Sequence, residues 1–379
     1  MYLTPAIQGR GLTRTNHSAS YGDGKTGCFR SYYSLSIHLP SNRAVTLWQD
    51  EGVEQPQVLI VGAGIAGIAC AQALRNVGVA ARVVDRGHTP GGRMASRTIQ
   101  GRKVDLGASY FTAEPSTPFG IVVTDWLRRG LARPWTDTIT VAGADGIQRR
   151  SSGPMRYAAP DGLRSLVTDL SQGVDVDQGV SVEHVSPGEA DSTLYDTVVL
   201  AMPDPQARRL LDVGTPQHDE LNNGSGWEPT ISVVLEWAAR TWNPFHFAFV
   251  NDVAEITSIA DDGDRRGDDA PVLVAHTTAA LARQHLDNTD GAISLVTDAV
   301  RRALSLPNSP IGSFTHRWTF ARPAAQHSAL FLLNDRIGLC GDAWGERSSV
   351  GTAWASGDAL GRAIAADLNA SMDSSPARR

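Results

Sequence analysis

Cysteine is scarce in this chain, no sign of charge dominates and no apolar run is long, and each shortage removes a class of function. The three cysteines among 379 residues, Cys28, Cys70 and Cys340, are odd in number and far apart. That excludes a disulfide framework and a paired-cysteine metal or redox motif, and it fits a reducing, cytoplasmic setting. A net charge of −6, from 34 basic and 40 acidic residues mixed along the chain, leaves no basic stripe for nucleic acid or for an anionic membrane. No stretch approaches the roughly 18 apolar residues of a membrane span, and the N-terminal segment lacks the apolar core of an export signal. None of His246, His285 or His327 stands at ligand spacing from a second metal-binding side chain, so no metal is expected. There is no internal repeat. The remaining composition, 41% hydrophobic and 20% charged, is that of a globular protein with about two domains.

One segment carries chemistry on its own. Val58 to Val61 form a short β-branched apolar run that suits the centre of a parallel sheet. Gly62, Gly64 and Gly67 follow, with Ile65 and Ala66 between them. The first glycine permits a sharp turn, the second lets backbone approach a pyrophosphate, and the third lets the next helix lie close to the strand. A helix expected from about Ile65 to Val77 turns its N-terminal N–H groups toward phosphate, and Gly78 ends it. Ala81 to Val84 then read as a second strand, tipped by Asp85, whose carboxylate suits ribose hydroxyls, and by Arg86. Strand, glycine triplet, helix, strand and acid in register make a dinucleotide-binding fingerprint.

The rest of the chain divides around that unit. Residues 1–55 have no sustained period and are expected to be disordered or loosely packed. A sharper expectation is that they are not translated and that the natural start lies between about Val45 and Val53. Residues 56–112, 155–210 and 332–370 are assigned to the dinucleotide-binding domain, and 113–154 and 211–331 to a substrate domain, with a tail at 371–379. Strand-like Val180 to Val185 and the apolar run from Asp196 to Pro203 belong to the first. In the second, Ile231 to Trp237 and Pro271 to Thr277 read as antiparallel strands joined through an acidic, glycine-containing loop at 261–269.

Three further segments separate flavin from nicotinamide as the bound dinucleotide. They are Pro90-Gly-Gly-Arg-Met-Ala-Ser-Arg97, Val104-Asp-Leu-Gly-Ala-Ser-Tyr-Phe-Thr112, and Gly341-Asp342 followed by Val350-Gly-Thr-Ala353. With the fingerprint, they resemble the flavin-dependent amine oxidase superfamily. Within it, Gly91 to Trp135, Val274-Ala-His276-Thr-Thr and His316-Arg-Trp318-Thr-Phe-Ala are most similar to the renalase family. The likeness spans about residues 57–368 and is strongest at its two ends. Ser109 stands where those relatives often carry glutamine, and Glu346 and Arg347 stand where they often carry glycine.

The resemblance implies an α/β fold of the glutathione reductase/amine oxidase type: a Rossmann-like FAD-binding domain and an α+β substrate domain on a mostly antiparallel sheet. It implies non-covalent FAD on Gly62, Gly64, Ile65, Ala66, Gly67, Asp85, Arg86, Gly92, Arg93, Gly107, Ala108, Val182, Asp342, Gly351 and Thr352. Val182 is placed in a strand by the adenine, and the Gly351 and Thr352 N–H groups by the flavin. His276, Trp318 and Tyr110 would wall the substrate site, with His276 donating to a carboxamide. The implied activity is hydride removal from a dihydropyridine isomer of NAD(P)H, with electrons passed to O2 to give H2O2. Two other readings stay open: an amine or amino-acid oxidase or desaturase, and a flavin-holding redox module of low turnover. A small molecule and O2 are the expected partners, and the oligomeric state is left open, a monomer sufficing.

Overall fold

The computed structural model describes residues 57–221 and 226–371 in full, and residues 33–38, 44–49, 222 and 372–373 by their backbone. The chain separates into two compact units, Met1–Gln55 and Pro56–Arg379. In the first, Tyr33–His38 and Ala44–Gln49 pair as an antiparallel hairpin. The expectation for the rest of residues 1–55, and the question of the natural start, lie outside the described residues.

The second unit is built on two sheets. Val58–Val61 lies at the heart of a six-stranded sheet, fully buried, between Thr197–Leu200 and Ala81–Asp85, both parallel to it. Ile337–Leu339 and Asp175–Gln178 extend the parallel set on the two sides, and Leu332–Asn334 adds an antiparallel edge. The glycine-loop helix runs from Ile65 to Arg75, two residues shorter at its end than expected, and packs against a long C-terminal helix, Val350–Asp373. Their close approach has a steric cause: a Cβ at Gly357 would lie 1.9 Å from the Ala66 carbonyl oxygen, and one at Gly361 would lie 2.6 Å from that of Cys70. The C-terminal helix thus occupies residues expected to begin the tail.

The other sheet has seven strands and is antiparallel except where Phe247–Val250 runs parallel to Arg133–Gly143. Trp227–Glu236 pairs with Val272–Thr277 on one side and with the edge strand Gly312–Pro323 on the other. Ile231, Val233 and Leu235 turn to a core shared with the helix Ile293–Leu304, whereas Val234 joins Val272, Val274, Leu106 and Trp318 on the opposite face. Period-two alternation thereby gives one strand two different environments.

Two expectations are corrected here. The edge of the parallel sheet is Asp175–Gln178, not Val180 to Val185: Gly179 has φ +72°, which turns the chain out of the sheet, and of the expected stretch only Val185 is strand, in a separate three-stranded sheet. The acidic stretch 261–269 is not a solvated loop. Asp262–Arg266 is a helix, capped by the Asp261 carboxylate at its start and by left-handed Gly267 at its end, and Asp262 and Arg265 are both fully buried. Among the described residues no helix is long and apolar enough to cross a membrane.

Candidate functional site

A cleft of about 960 Å³ runs from the tips of the parallel strands to the face of the antiparallel sheet. That volume sits at the upper end of the roughly 300–1,000 Å³ of ligand sites. At its dinucleotide end stand Gly62, Gly64, Ile65, Ala66, Asp85 and Arg86. The three loop glycines are glycine for different reasons. Gly62 has φ +117°, and a Cβ at Gly67 would lie 1.9 Å from the Gly62 oxygen, so both are required by the protein itself. A Cβ at Gly64 would meet nothing within 4 Å, and Gly64 borders the cleft, so its missing side chain leaves room for an occupant. Asp85 accepts from the Ala63 N–H at 2.7 Å and the Gly87 N–H at 2.6 Å, which ties the acid to the glycine loop.

In the middle of the cleft Gly91 and Gly92, at φ +135° and +50°, bring Arg93 beside the loop. The Arg93 guanidinium forks onto the Asp342 carboxylate at 2.9 and 2.5 Å and donates to the Ala321 oxygen at 3.3 Å. Ser348 Oγ also donates to Asp342. Gly107 passes so close to Arg93 that a Cβ would lie 1.8 Å from the Arg93 oxygen, and the Ala108 N–H donates to that oxygen at 3.0 Å. Arg93, Gly107, Ala108 and Asp342 therefore form one connected wall.

At the far end His276, Trp318 and Tyr110 all border the cleft. His276 Nε2 donates to the Leu106 carbonyl at 3.2 Å, and Trp318 Nε1 donates to the same oxygen at 3.0 Å. Burial pushes the His276 imidazole down to about 4, against a smaller upward pull from the Leu106 bond. With its Nε2 proton on the Leu106 oxygen, a neutral His276 keeps Nδ1 as its other hydrogen-bonding atom, an acceptor. Tyr110 stands edge-on to Phe247 at 5.2 Å, and the Arg156 guanidinium lies 5.3 Å over its ring.

Four expected site residues, Gly67, Val182, Gly351 and Thr352, fall outside the lining, Gly67 because it faces the Gly62 oxygen and the Ala201 methyl. Val182 packs, beyond the Gly179 turn, against the core cluster that includes Val84 and Leu200. Gly351 lies against Phe119, with a Cβ position 3.2 Å from that ring. The Thr352 N–H is taken by Ser349 Oγ at 3.0 Å, which caps the helix, and Ser348, Ser349, Val350 and Ala353 border the cleft instead. The sequence reading also missed Gln206, Arg209 and Glu228 in the lining, and Ser232, which is buried behind it and bonds to the Leu106 oxygen and the Trp318 indole. Ser348-Ser349 before an apolar helix is a capping signal, and a lone serine among Ile231, Val233, Val234 and Leu235 is a polar residue where packing wants none. Cys340 is buried, its thiol pushed up to about 12 by burial.

Comparison with known proteins matches residues 60–122 to the NAD(P)-binding Rossmann-like domain. The chain is 24% identical to renalase from Mus musculus over 298 residues, 70% of this chain and 85% of that one. Its fold is similar to that of cyclohexylamine oxidase from Brevibacterium oxydans, with a TM-score of 0.67 at 12% identity over 83% of this chain and 100% of the other. It is also similar to putrescine oxidase bound to putrescine, with a TM-score of 0.61 at 14% identity over 83% and 99%. These findings agree with the α/β fold and the superfamily resemblance read from the sequence.

Proposed function

We propose that this renalase relative is an FAD-dependent oxidoreductase that oxidises a dihydropyridine isomer of NAD(P)H and passes the electrons to O2. The residues suit non-covalent FAD: Gly64 leaves space at the helix N-terminus where a pyrophosphate gains from free N–H groups, and Asp85 lies where a ribose would. Arg93 and Asp342 offer charged hydrogen-bonding groups along the same wall. Bound there, the isoalloxazine supplies the hydride acceptor and the route to oxygen. The chain's own part is to orient the substrate ring, hold its polar groups and exclude water.

The observation that carries the choice of substrate is the charge at the far end of the cleft. An ammonium substrate is best held by an unpaired anion. Glu228 is paired with Arg322, His276 is neutral, and the Tyr110 ring already holds the Arg156 guanidinium. Arg209 and Arg317 add positive charge to the lining. A flat, neutral ring on an anionic nucleotide fits this surface better than an amine does. The overall reaction balances as dihydropyridine plus O2 plus one proton giving the pyridinium and H2O2: the carbon loses a hydride, and oxygen gains two electrons and two protons. The low cysteine count keeps the reducing cytoplasm as the compartment in this reading.

An aerobic assay with borohydride-derived NAD(P)H isomers tests it. NAD(P)+ and H2O2 formed in equal amounts support the reading, whereas pyridinium without peroxide would remove O2 as the acceptor. The amine oxidase alternative draws on the neighbours of the same fold, and it predicts turnover of amines in the same assay with the isomers inert.

A further inference from the structure

The Leu106 carbonyl has more donors than it needs. A carbonyl oxygen has two lone pairs, and His276 Nε2 and Trp318 Nε1 already point at this one. A third donor, Ser232 Oγ, also bonds to it. Ser232 Oγ in turn accepts from Trp318 Nε1 at 3.0 Å. Ser232 is 0% exposed and sits in register with His276 on one neighbouring strand and His316 on the other. A buried hydroxyl costs stability unless bonded, and an alanine here would leave no orphaned carbonyl. The serine is therefore not explained by backbone satisfaction. What it adds is a second acceptor for the indole N–H and a lock on the oxygen that fixes the His276 tautomer.

We propose that Ser232 is a positioning residue of the substrate wall: it fixes the plane of the Trp318 indole and, through the shared Leu106 oxygen, keeps the His276 acceptor turned to the cleft. This rests on the reading above, in which a flat ring is held between that wall and the flavin. Trp318 is well placed to act on the ring, since its Cζ2 lies 3.3 Å from the Cβ position of Gly107, on the cofactor-side wall.

The test is a double-mutant cycle of Ser232→Ala and Trp318→Phe in the FAD-loaded protein, because coupling separates a residue acting through Trp318 from one that merely stabilises the sheet. Four quantities are read: FAD content, melting temperature, visible circular dichroism of the bound flavin, and the anaerobic rate of flavin reduction by NADH isomers. Ser232→Ala should keep its FAD, alter the visible dichroism and slow reduction at saturating substrate roughly tenfold, the scale of lost orientation. In the Trp318→Phe background its effect on the dichroism should vanish and its effect on the rate should shrink to the smaller share carried through the Leu106 oxygen and His276. Ser232→Cys, similar in size but a weak hydrogen-bonding group, should follow the alanine pattern and replaces it if that variant does not fold. Additive effects, or a change in melting temperature alone, would overturn the proposal. If the isomers do not reduce wild-type flavin, the functional reading fails, and the dichroism cycle still decides the role of Ser232.

Discussion

At the scale of single residues, burial sets the protonation of His276. His276 has an ordinary value of 6.5 and is pushed down to about 4. The rate of flavin reduction should therefore show no His276 inflection between about pH 5 and 9. Stability carries the opposite sign to that of a paired histidine. As pH falls from about 6.5 toward 4, the unfolded chain takes up a proton that the folded chain refuses, so the fold loses stability through that window. Urea melts of wild type and His276→Ala at pH 7.5 and 5 should show a smaller acid loss in the variant. At Asp342, replacement by alanine removes both bonds of the Arg93 fork and leaves a partly buried guanidinium without its acid. We expect flavin-poor protein on purification and a loss of about 2 kcal/mol in denaturant melts, since breaking a shielded pair strands the other charge. His276 and Asp342 were singled out in the sequence through the family resemblance, and both border the cleft. The direction of the His276 proton was not legible, because the backbone oxygen that sets it has no signature in the sequence.

At the scale of elements, the glycine-loop helix is placed by contacts that leave no space. Gly67→Ala would drive a methyl into the Gly62 oxygen and against the Ala201 methyl 3.2 Å away. The variant should bind FAD at least tenfold more weakly and melt several degrees lower, read by flavin retention on dialysis and by calorimetry. This helix and its strands were readable from period and glycine position alone. The strand near Val182 was not, since two adjoining short segments, Asp175–Gln178 and Val180 to Val185, both suit an edge, and the left-handed turn at Gly179 decides between them. Asp262–Arg266 was misread for a different reason. Its composition is that of a solvated loop; Arg265 and Arg266 lie within it, but the partners that complete its burial, Arg102 for Asp262 and Asp105 for Arg266, come from far along the chain.

At the scale of the whole molecule, that short helix ties the antiparallel sheet to the cofactor-side wall. Arg265 donates to the Ser109 and Asp105 oxygens on either side of Gly107, while its guanidinium pairs with Asp262. Burial alone would raise the Asp262 carboxyl, but Arg265, Arg266 and Arg102 outweigh it and hold it below its ordinary value of 3.8. A lowered carboxyl stabilises the fold above that ordinary value, and the contribution is lost as pH falls through the lower, folded one. Asp262→Asn should therefore cost on the order of 3 kcal/mol at pH 7, by leaving buried guanidiniums uncompensated. It should also lessen the acid sensitivity of unfolding below about pH 4, which parallel melts at pH 7 and 3 would record. The class of each sheet was visible in the sequence, but the polar bonds that join them around the cleft were not, because each partner is far away along the chain.

The central claim is that the cleft presents a reduced nicotinamide-type ring, and not an amine, to the flavin. Anaerobic stopped-flow mixing of the FAD-loaded protein with NAD(P)H isomers, authentic NADH and a panel of amines tests it most directly. Rapid bleaching of the flavin absorbance by the isomers, with amines inert, is the predicted result. Bleaching by amines alone would contradict the account.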